Sequence, residues 1–429
     1  MRTKCIVALL VSLLLSLVLL NINLSVMCAI EEKEPDVLVG IDVAYRDFVQ
    51  IERLVEETKG YTNLFALGCS GITQNMTEID IACQYLYDEG FYFMVYQDTP
   101  LSFETRNGTL DPLSFNWPGS AKERWGNRFL GFYVYDEVGG RQLDLYENWT
   151  TVEQASNYTD AATKFNQGIG WALNWFTDYY SSSTDFPLFT SDYALYWFDY
   201  KAGYDVLLAQ LGWNYSRQLN IALCRGAATV QNKDWGVIIT WTYTEPPYIE
   251  SGAELYNDMV LAYENGAKYV VVFDSNKGWT TGILQQEHLE ALKQFWQFVQ
   301  VNPRNKNSSD DRVAYVLPKD YAYGFRGPND RIWGLWEADE LSEPICQSLN
   351  WLLEQHGKRL DIIYDDGLTV ENSATYSNLF YWNVTRPSSS PGPTPLSPLT
   401  ANLFYMTIVG MGAIVILISI VKFVLRRRR

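Results

Sequence analysis

Carboxylate side chains recur where short apolar runs end in this 429-residue chain. The runs are apolar on nearly every residue, as in parallel strands that are covered on both faces. Cleaving a glycosidic bond needs two carboxyl groups, one to protonate the leaving oxygen and one to attack or to activate water. That chemistry needs no histidine and no metal. The residues at the run ends are Asp42, Gln97, Asp98, Asp136, Glu137, Ser191, Asp192, Tyr193, Gln210, residues 241–245 and Asp274.

Aromatic residues lie among these acids, and aromatic rings pack against the apolar faces of sugars. We therefore expect a carbohydrate or glycan ligand and no cofactor or metal. Glu137 and Glu245 are the predicted pair of catalytic carboxyl groups. The predicted substrate-binding residues are Asp42, Asp136, Asp192, Tyr193, Trp213, Trp241, Tyr243 and Asp274.

These residues also have structural explanations. Strand alternation predicts that Glu137 points into the fold and Asp136 toward the helices. Asp42 could form an internal hydrogen bond, Glu245 could begin a turn before Pro246, and Asp274 could bind a backbone amide. Each tryptophan, taken singly, is more often a core residue than a ligand contact.

Strand-like runs alternate with amphipathic segments over residues 35–303. Eight strands, each followed by a helix, fit one (β/α)₈ barrel, and an open doubly wound sheet is the alternative. The predicted strands are 37–45, 62–69, 91–97, 129–137, 186–192, 205–210, 235–241 and 268–274. The predicted helices include 47–58, 78–88, 151–176, 217–231, 253–265 and 286–299.

At the ends of the fourth and seventh strands the chain resembles the barrel glycoside hydrolases. Their largest clan has its acid/base glutamate at the end of strand four and its nucleophile at the end of strand seven. Glu137 and Glu245 match these positions, and the resemblance implies that Glu137 is the general acid and Glu245 the nucleophile or base. The clan has asparagine before the first glutamate, where this chain has Asp136.

A second strand–helix pattern follows over residues 311–384, with strands 313–318, 359–364 and 379–382 and a helix 342–356. This small α/β domain is similar in arrangement to the flavodoxin-like domain that follows the barrel in some β-galactosidase families. There the domain mediates trimers, so the resemblance implies a homo-oligomer as one possibility.

Both ends of the chain carry membrane signals. Residues 1–29 have the order of a secretory leader, and residues 401–425 form an apolar stretch long enough to span a bilayer. A Pro/Ser-rich stalk (385–400) precedes this stretch and a basic tail (426–429) follows it. We therefore expect a single-pass membrane protein with most of its chain outside the cell, or one whose tail is processed for lipid attachment.

Seven Asn-x-Ser/Thr triplets support an exterior location, since such acceptors lie on the exposed surface of exported chains. They begin at Asn75, Asn107, Asn148, Asn157, Asn214, Asn307 and Asn383.

Composition excludes several classes of function. The net charge of −17 makes nucleic acid an unexpected partner, because phosphate binding needs basic patches. With two histidines, a Ser-His-Asp triad, a histidine-rich zinc site or a metal-dependent deacetylase has little basis. Four cysteines outside the leader lack metal-type spacing and are predicted to be buried thiols. The alternatives to a glycosidase are a non-catalytic glycan-binding or envelope protein and a lyase.

Overall fold

The computed structural model describes residues 35–45, 47–97, 112–144, 152–180, 186–275, 282–304 and 311–383. Eight parallel strands close a barrel in chain order, and β1 pairs with β8. The barrel predicted from the sequence, and implied by the resemblance to barrel glycoside hydrolases, is therefore confirmed, and the open sheet is excluded. The strands are β1 Leu38–Val43, β2 Leu64–Leu67, β3 Tyr92–Gln97, β4 Phe129–Val134, β5 Leu188–Asp192, β6 Val206–Leu211, β7 Asp234–Ile239 and β8 Tyr269–Asp274.

Helices lie between these strands and follow the last one. Polar side chains begin several of them: the Asp47 carboxylate accepts from the Gln50 amide, and Ser251 forms a reciprocal capping box with Glu254. The helices of the barrel region are α1 Phe48–Thr58, α2 Ser70–Thr73, α3 Met76–Asp88, α4 Pro112–Trp125, α5 Val138–Asp144, α6 Tyr158–Tyr179, α7 Tyr196–Ala202, α8 Arg217–Gln231, α9 Gly252–Glu264 and α10 Gln286–Val301.

The barrel strands bury both of their faces, which explains their apolar sequences. One face of each strand contributes to the inside of the barrel, and the other packs against the helices. Because the side-chain period of a strand is two, a residue two positions along the strand from one of these interior residues also points inward. The interior cluster consists of Leu38, Leu64, Ala66, Tyr92, Met94, Tyr133, Phe189, Val206, Leu208, Ile238, Tyr269 and Val271.

A small parallel sheet follows the barrel, with the strand order β10-β9-β11. Its elements are β9 Val313–Leu317, α11 Ser342–His356, β10 Leu360–Tyr364, α12 Val370–Ser373 and β11 Asn378–Tyr381. The described residues up to Trp382 form one compact unit that includes this sheet. The similarity to a flavodoxin-like domain, and the oligomer it implies, stay predictions.

The small sheet contacts helix α8 at a glycine. A Cβ at Gly226 would lie 2.4 Å from the backbone oxygen of Ile362 in β10, closer than real side chains approach. Glycine thus lets the helix and the strand meet backbone to backbone.

Replacing Gly226 by alanine is expected to cost about 1–3 kcal/mol, because the added methyl group forces two backbones apart. Gly60→Ala is the matched control, since a Cβ at Gly60 meets no atom within 4 Å. Chemical unfolding of the two variants measures the difference. Equal stability of the two would contradict a tight α8–β10 contact.

The four cysteines of the described residues, Cys69, Cys83, Cys224 and Cys346, are buried and free, which confirms the prediction of thiols. No helix among the described residues has the length and apolar character needed to cross a bilayer. The predicted leader, stalk, spanning segment and basic tail all lie outside those residues.

Four of the predicted glycosylation acceptors have a described position, and all four are exposed. Asn75 and Asn157 cap the first turns of α3 and α6 with their side-chain oxygens. Asn214 lies in the turn after β6 and Asn383 after β11. Asn107, Asn148 and Asn307 lie outside the described residues, and modification of all seven stays a prediction.

Candidate active site

Polar side chains from β1, β4, β5 and β6 meet at the carboxyl end of the barrel, where (β/α)₈ enzymes have their active sites. The Asp136 carboxylate accepts hydrogen bonds from the Tyr133 hydroxyl at 2.7 Å and from the Ser191 hydroxyl at 2.8 Å. The Gln210 amide donates to Glu137 Oε1 and to Ser191 Oγ, both at 2.9 Å. We call this group the acidic mouth; its members are Asp42, Tyr133, Asp136, Glu137, Ser191 and Gln210.

The backbone after β4 turns Asp136 into this network. Tyr135 and Glu137 have φ angles of 54° and 57°, in the left-handed region that non-glycine residues seldom occupy. The prediction that Asp136 points toward the helices is therefore wrong, because strand alternation stops at Val134. Residues held in this region often mark functional sites.

The carboxyl groups of the acidic mouth hold their protons unusually strongly. Burial, and then the charge of Asp136, raise the pKa of Asp42 to about 8. The same two causes raise the pKa of Glu137 to about 7, against the hydrogen bond from Gln210 and the charge of Arg141. Burial also raises the pKa of Asp136, although the Tyr133 and Ser191 hydroxyls favour its charged form. A carboxyl group that stays protonated near neutral pH can act as a general acid.

Two oxygens of the acidic mouth are buried without a hydrogen-bond partner, namely Asp42 Oδ1 and Gln210 Oε1. Asp42 is 6% exposed, and it lies on the same face of β1 as Leu38 in the barrel interior. Gln210 lies on the same face of β6 as Val206 and Leu208, which also belong to the barrel interior. Buried acceptors without partners are costly, and a ligand, an ion or a water molecule at the mouth would supply the missing donors.

Buried carboxyl groups make stability depend on pH. Their pKa is higher in the folded than in the unfolded chain, as for Asp42 (about 8 against 3.8) and Asp192 (about 7 against 3.8). The folded state therefore binds more protons, and stability is lost as pH rises from about 4 to 8. We expect the melting temperature to be several degrees higher at about pH 5 than at about pH 8, measured by scanning calorimetry. Asp42→Asn should flatten the profile, and a rise of melting temperature with pH would contradict the assignment.

Asp192 and Asp274 make structural contacts, and their predicted sugar contacts stay predictions. Asp192 is fully buried, and its oxygens accept from four backbone amides, those of Gly139, Gly140, Tyr193 and Ala194. This carboxylate fixes the start of α5 against the loop after β5.

Asp274 is also buried and holds the chain after β8. Its carboxylate accepts from the amides of Ile283 at 2.6 Å and Leu284 at 3.1 Å, and from the Tyr45 hydroxyl. The structural alternative, a bond to backbone amides at the barrel rim, is the one observed.

Two predicted aromatic residues are fixed on the rim of the barrel. Tyr193 stacks on Tyr215 with ring centroids 5.3 Å apart and donates to the Asp144 carboxylate at 2.7 Å. The Trp241 indole donates to the Ser275 carbonyl at 2.9 Å and packs against Phe273. Both rings are half-buried, so each has structural contacts and one accessible part.

The loop after β7 brings three predicted residues together. Trp213, Tyr243 and Glu245 line an open groove of about 490 Å³, with Thr242, Thr244, Pro246 and Pro247. Tyr243 is 45% exposed and offers its ring to solvent. We call this surface the β7 groove. Its aromatic rings and single carboxylate fit the predicted contact with a sugar chain.

Glu245 lies in the β7 groove rather than in the acidic mouth. The strand ends at Ile239, and Glu245 follows on an exposed turn. The hydrogen bonds and ion pairs of the described residues do not join it to Glu137. Its role as nucleophile or base stays a prediction, and its side chain is exposed.

A cavity of about 1270 Å³ at the opposite end of the barrel does not belong to this site. Residues at the amino ends of the strands line it, among them Tyr92, Phe129, Val206 and Tyr269. Catalytic residues of (β/α)₈ proteins come from the other end, so we assign the acidic mouth and not this cavity as the candidate active site.

Three residues of the site were not predicted as members. Tyr133 and Ser191 hold Asp136, and Gln210 holds Glu137. Their sequence signal is position alone, since each points inward near the carboxyl end of its strand. Arg141 lies one helical turn after Glu137, with its Nε 3.9 Å from Glu137 Oε2.

No family model matches the chain, and no curated protein matches it. Solved structures do match in overall shape. One is GH5_18 from Bifidobacterium longum subsp. longum in complex with Manβ1-4GlcNAc, at 9% identity and a TM-score of 0.45, over 84% of this chain and 99% of that one. Another is GH5_18 from Bifidobacterium longum subsp. infantis, at 8% identity and a TM-score of 0.47, over 81% of this chain and 97% of that one.

A third match is Saccharomyces cerevisiae Gas2p in complex with laminaripentaose, at 13% identity and a TM-score of 0.38, over 64% of this chain and 67% of that one. The structural neighbours are thus proteins of the glycoside hydrolase type with a barrel fold. At these identities and scores the likeness is one of fold, and the functional assignment depends on the residues of the acidic mouth.

Proposed function

We propose that this chain is a glycosidase that cleaves a glycan at the acidic mouth. The observation that carries the proposal is Glu137, a half-buried carboxyl group whose pKa is raised to about 7 at the carboxyl end of a barrel strand. Glycosidases need such a group to protonate the leaving oxygen. The exposed rings of the β7 groove supply a second contact for an extended sugar chain.

In this mechanism the Glu137 carboxyl donates its proton to the glycosidic oxygen as the bond to the ring carbon breaks. Asp136 precedes Glu137 in the chain, and the negative charge of Asp136 keeps the proton on Glu137 before reaction. The same charge stabilises the positive charge that develops on the sugar ring. Glu245, the predicted second carboxylate, then attacks the ring carbon or activates water.

The alternative is a non-catalytic glycan-binding protein, and one observation favours it. Glu245 lies on an exposed turn and shares no described contact with Glu137, whereas hydrolysis needs two carboxyl groups on opposite sides of one bond. A binding protein would use the β7 groove and the acidic mouth without that pairing.

We also propose that the protein acts outside the cell, held by one C-terminal membrane helix. The support is the order of leader, stalk, apolar stretch and basic tail in the sequence. Mass spectrometry of the mature protein from its native membrane distinguishes a retained helix from a processed tail. Recovery of the intact chain in the soluble fraction would contradict anchoring.

Turnover of an oligosaccharide library tests the proposed activity. We expect new reducing ends from one glycan class, and proton NMR of the first product gives the configuration of the new anomer. In Glu245→Gly, azide is expected to restore turnover and form a glycosyl azide if Glu245 is the nucleophile. Binding without turnover by any library member would favour the glycan-binding alternative.

A further inference from the structure

We propose that the acidic mouth binds a sugar carrying a free amino group, with the ammonium held by Asp42 and Asp136. This inference rests on the proposed function, since it assigns a substrate class to the same site. Three features of the described residues lead to it: two buried acceptors without donors, a buried negative charge without a close ion pair, and a glycine that leaves an Asp42 oxygen uncovered.

The first feature is an excess of hydrogen-bond acceptors. Asp42 Oδ1 and Gln210 Oε1 are buried without partners, and both side chains point into the barrel. Asp136 already accepts from Tyr133 and Ser191, so these two hydroxyl donors are used. A ligand that completes the site must therefore bring hydrogen-bond donors. An ammonium group carries three N–H donors.

The second feature is a buried negative charge without a close ion pair among the described residues; the charge of Arg141 acts on both Asp136 and Glu137. Among the described ion pairs, the contact from Arg141 to Glu137 is the one at the mouth, and it is long at 3.9 Å. No described ion pair reaches Asp42 or Asp136, although the charge of Asp136 acts on both Asp42 and Glu137. A buried charge without a partner is costly, and a cationic ligand group removes that cost.

The third feature is the glycine beside Asp42. Gly68 follows β2, and a Cβ there would lie 3.1 Å from Asp42 Oδ1 and 3.2 Å from the Val43 carbonyl. Glycine leaves this free oxygen uncovered, whereas the Val43 carbonyl already accepts from the Gly68 amide at 2.8 Å and from the Cys69 thiol at 3.2 Å. An uncovered carboxyl oxygen suits a compact ammonium.

Other sugar classes fit this mouth less well. A uronic acid would bring a second negative charge next to Asp136, and like charges repel in a poorly hydrated site. A neutral sugar can donate through hydroxyls but leaves the charge without a partner. An N-acetylated sugar has one amide donor and no charge, while charge-assisted hydrogen bonds are roughly twice as strong as neutral ones.

Binding to the full-length protein tests the inference. The probes are glucosamine and galactosamine oligosaccharides, their N-acetylated forms, and the glucose and galactose oligosaccharides of equal length. Calorimetry with the Glu137→Gln variant prevents turnover during the measurement. We expect the amino sugars of one series to bind about 10–100-fold tighter than their neutral counterparts, the value of a hydrogen bond to a charged group.

Variants assign the preference to the mouth. Asp42→Asn and Asp136→Asn keep the shape of each side chain, and either should remove most of the amino-sugar preference. Glu52→Gln is the control, because Glu52 is exposed on α1 and tests general attraction to the acidic surface. Melting temperatures identify a variant that fails to fold, and the other variant then decides.

Outcomes separate this inference from the proposed function. Glu137-dependent cleavage of neutral sugars without an amino-sugar preference would overturn the inference alone. Asp42-dependent binding of amino sugars without cleavage would support it and overturn the proposed glycosidase activity. Equal binding of all three series, no binding of amino sugars, or a preference that Asp42→Asn and Asp136→Asn leave intact would overturn it.

Discussion

Glu137→Gln is expected to lower kcat for glycan hydrolysis by about 10²–10⁴-fold, the usual contribution of a general acid. Glutamine keeps the shape of the side chain and its place beside the Gln210 amide, but it has no proton to give to the leaving oxygen. Because the pKa of Glu137 is raised to about 7 by burial and by Asp136, the wild-type rate should fall as pH rises above about 7. Steady-state kinetics across pH 5–9 measures both effects.

Glu250→Gln is the matched control for this prediction. Burial, and then the charge of Asp258, raise the pKa of Glu250 to about 7 as well, but this carboxylate pairs with Arg217 at 2.7 Å outside the acidic mouth. Its glutamine variant should hydrolyse glycans at a rate close to that of the wild type. Turnover by Glu137→Gln within twofold of this control would contradict the assignment of Glu137 as the general acid.

The barrel itself could be predicted from the sequence for a physical reason. Its strands are covered on both faces, so they read as apolar runs, and polar caps such as Asp47 and Ser251 mark the helices between them. The residue at which a strand ends is harder to predict from the sequence, because it depends on backbone angles that the residue types do not determine. The fourth strand ends at Val134 because Tyr135 adopts a left-handed angle, which no feature of its type requires.

The same limit applies to the site. Asp136, Glu137 and Asp192 are acids near strand ends, and their types alone do not separate their roles. Four backbone amides occupy Asp192, while hydroxyl and amide side chains from other strands hold Asp136 and Glu137. These partners come together only in the closed barrel. Sequence reasoning could therefore place acids at the carboxyl end of the barrel, but it could not assign structural and chemical roles among them.

The attachment of the small sheet was not predicted either, because its central ion pair joins residues far apart in the chain. Arg225 of α8 donates from Nε to Asp361 of β10 at 2.6 Å, and from its two terminal nitrogens to the Asn265 side chain and the Leu360 carbonyl. Arg225 is 4% exposed and Asp361 is fully buried. An unpaired charge is strongly destabilising in a buried environment, so the Arg225 guanidinium and the Asp361 carboxylate each need the other as a partner.

Arg225→Met is expected to destabilise the protein by about 3–5 kcal/mol, because it leaves the Asp361 carboxylate buried with Arg312 at 3.6 Å as its remaining ion pair among the described residues. The double variant Arg225→Met/Asp361→Leu removes both charges and should recover much of that loss, since a matched apolar pair fills similar volume without an unpaired ion. Guanidinium unfolding of the three proteins measures these differences.

Arg359→Met is the control for Arg225→Met, because Arg359 forms an ion pair near the same sheet. Arg359 pairs with Asp311 at 3.1 Å, but both side chains are exposed, so water and salt screen the pair and its loss should cost about 1 kcal/mol or less. The Arg225 effect should also survive high salt, because a buried pair is screened far less than an exposed one. A double variant no more stable than Arg225→Met would mean that the arginine stem, rather than its charge, holds β10 on α8.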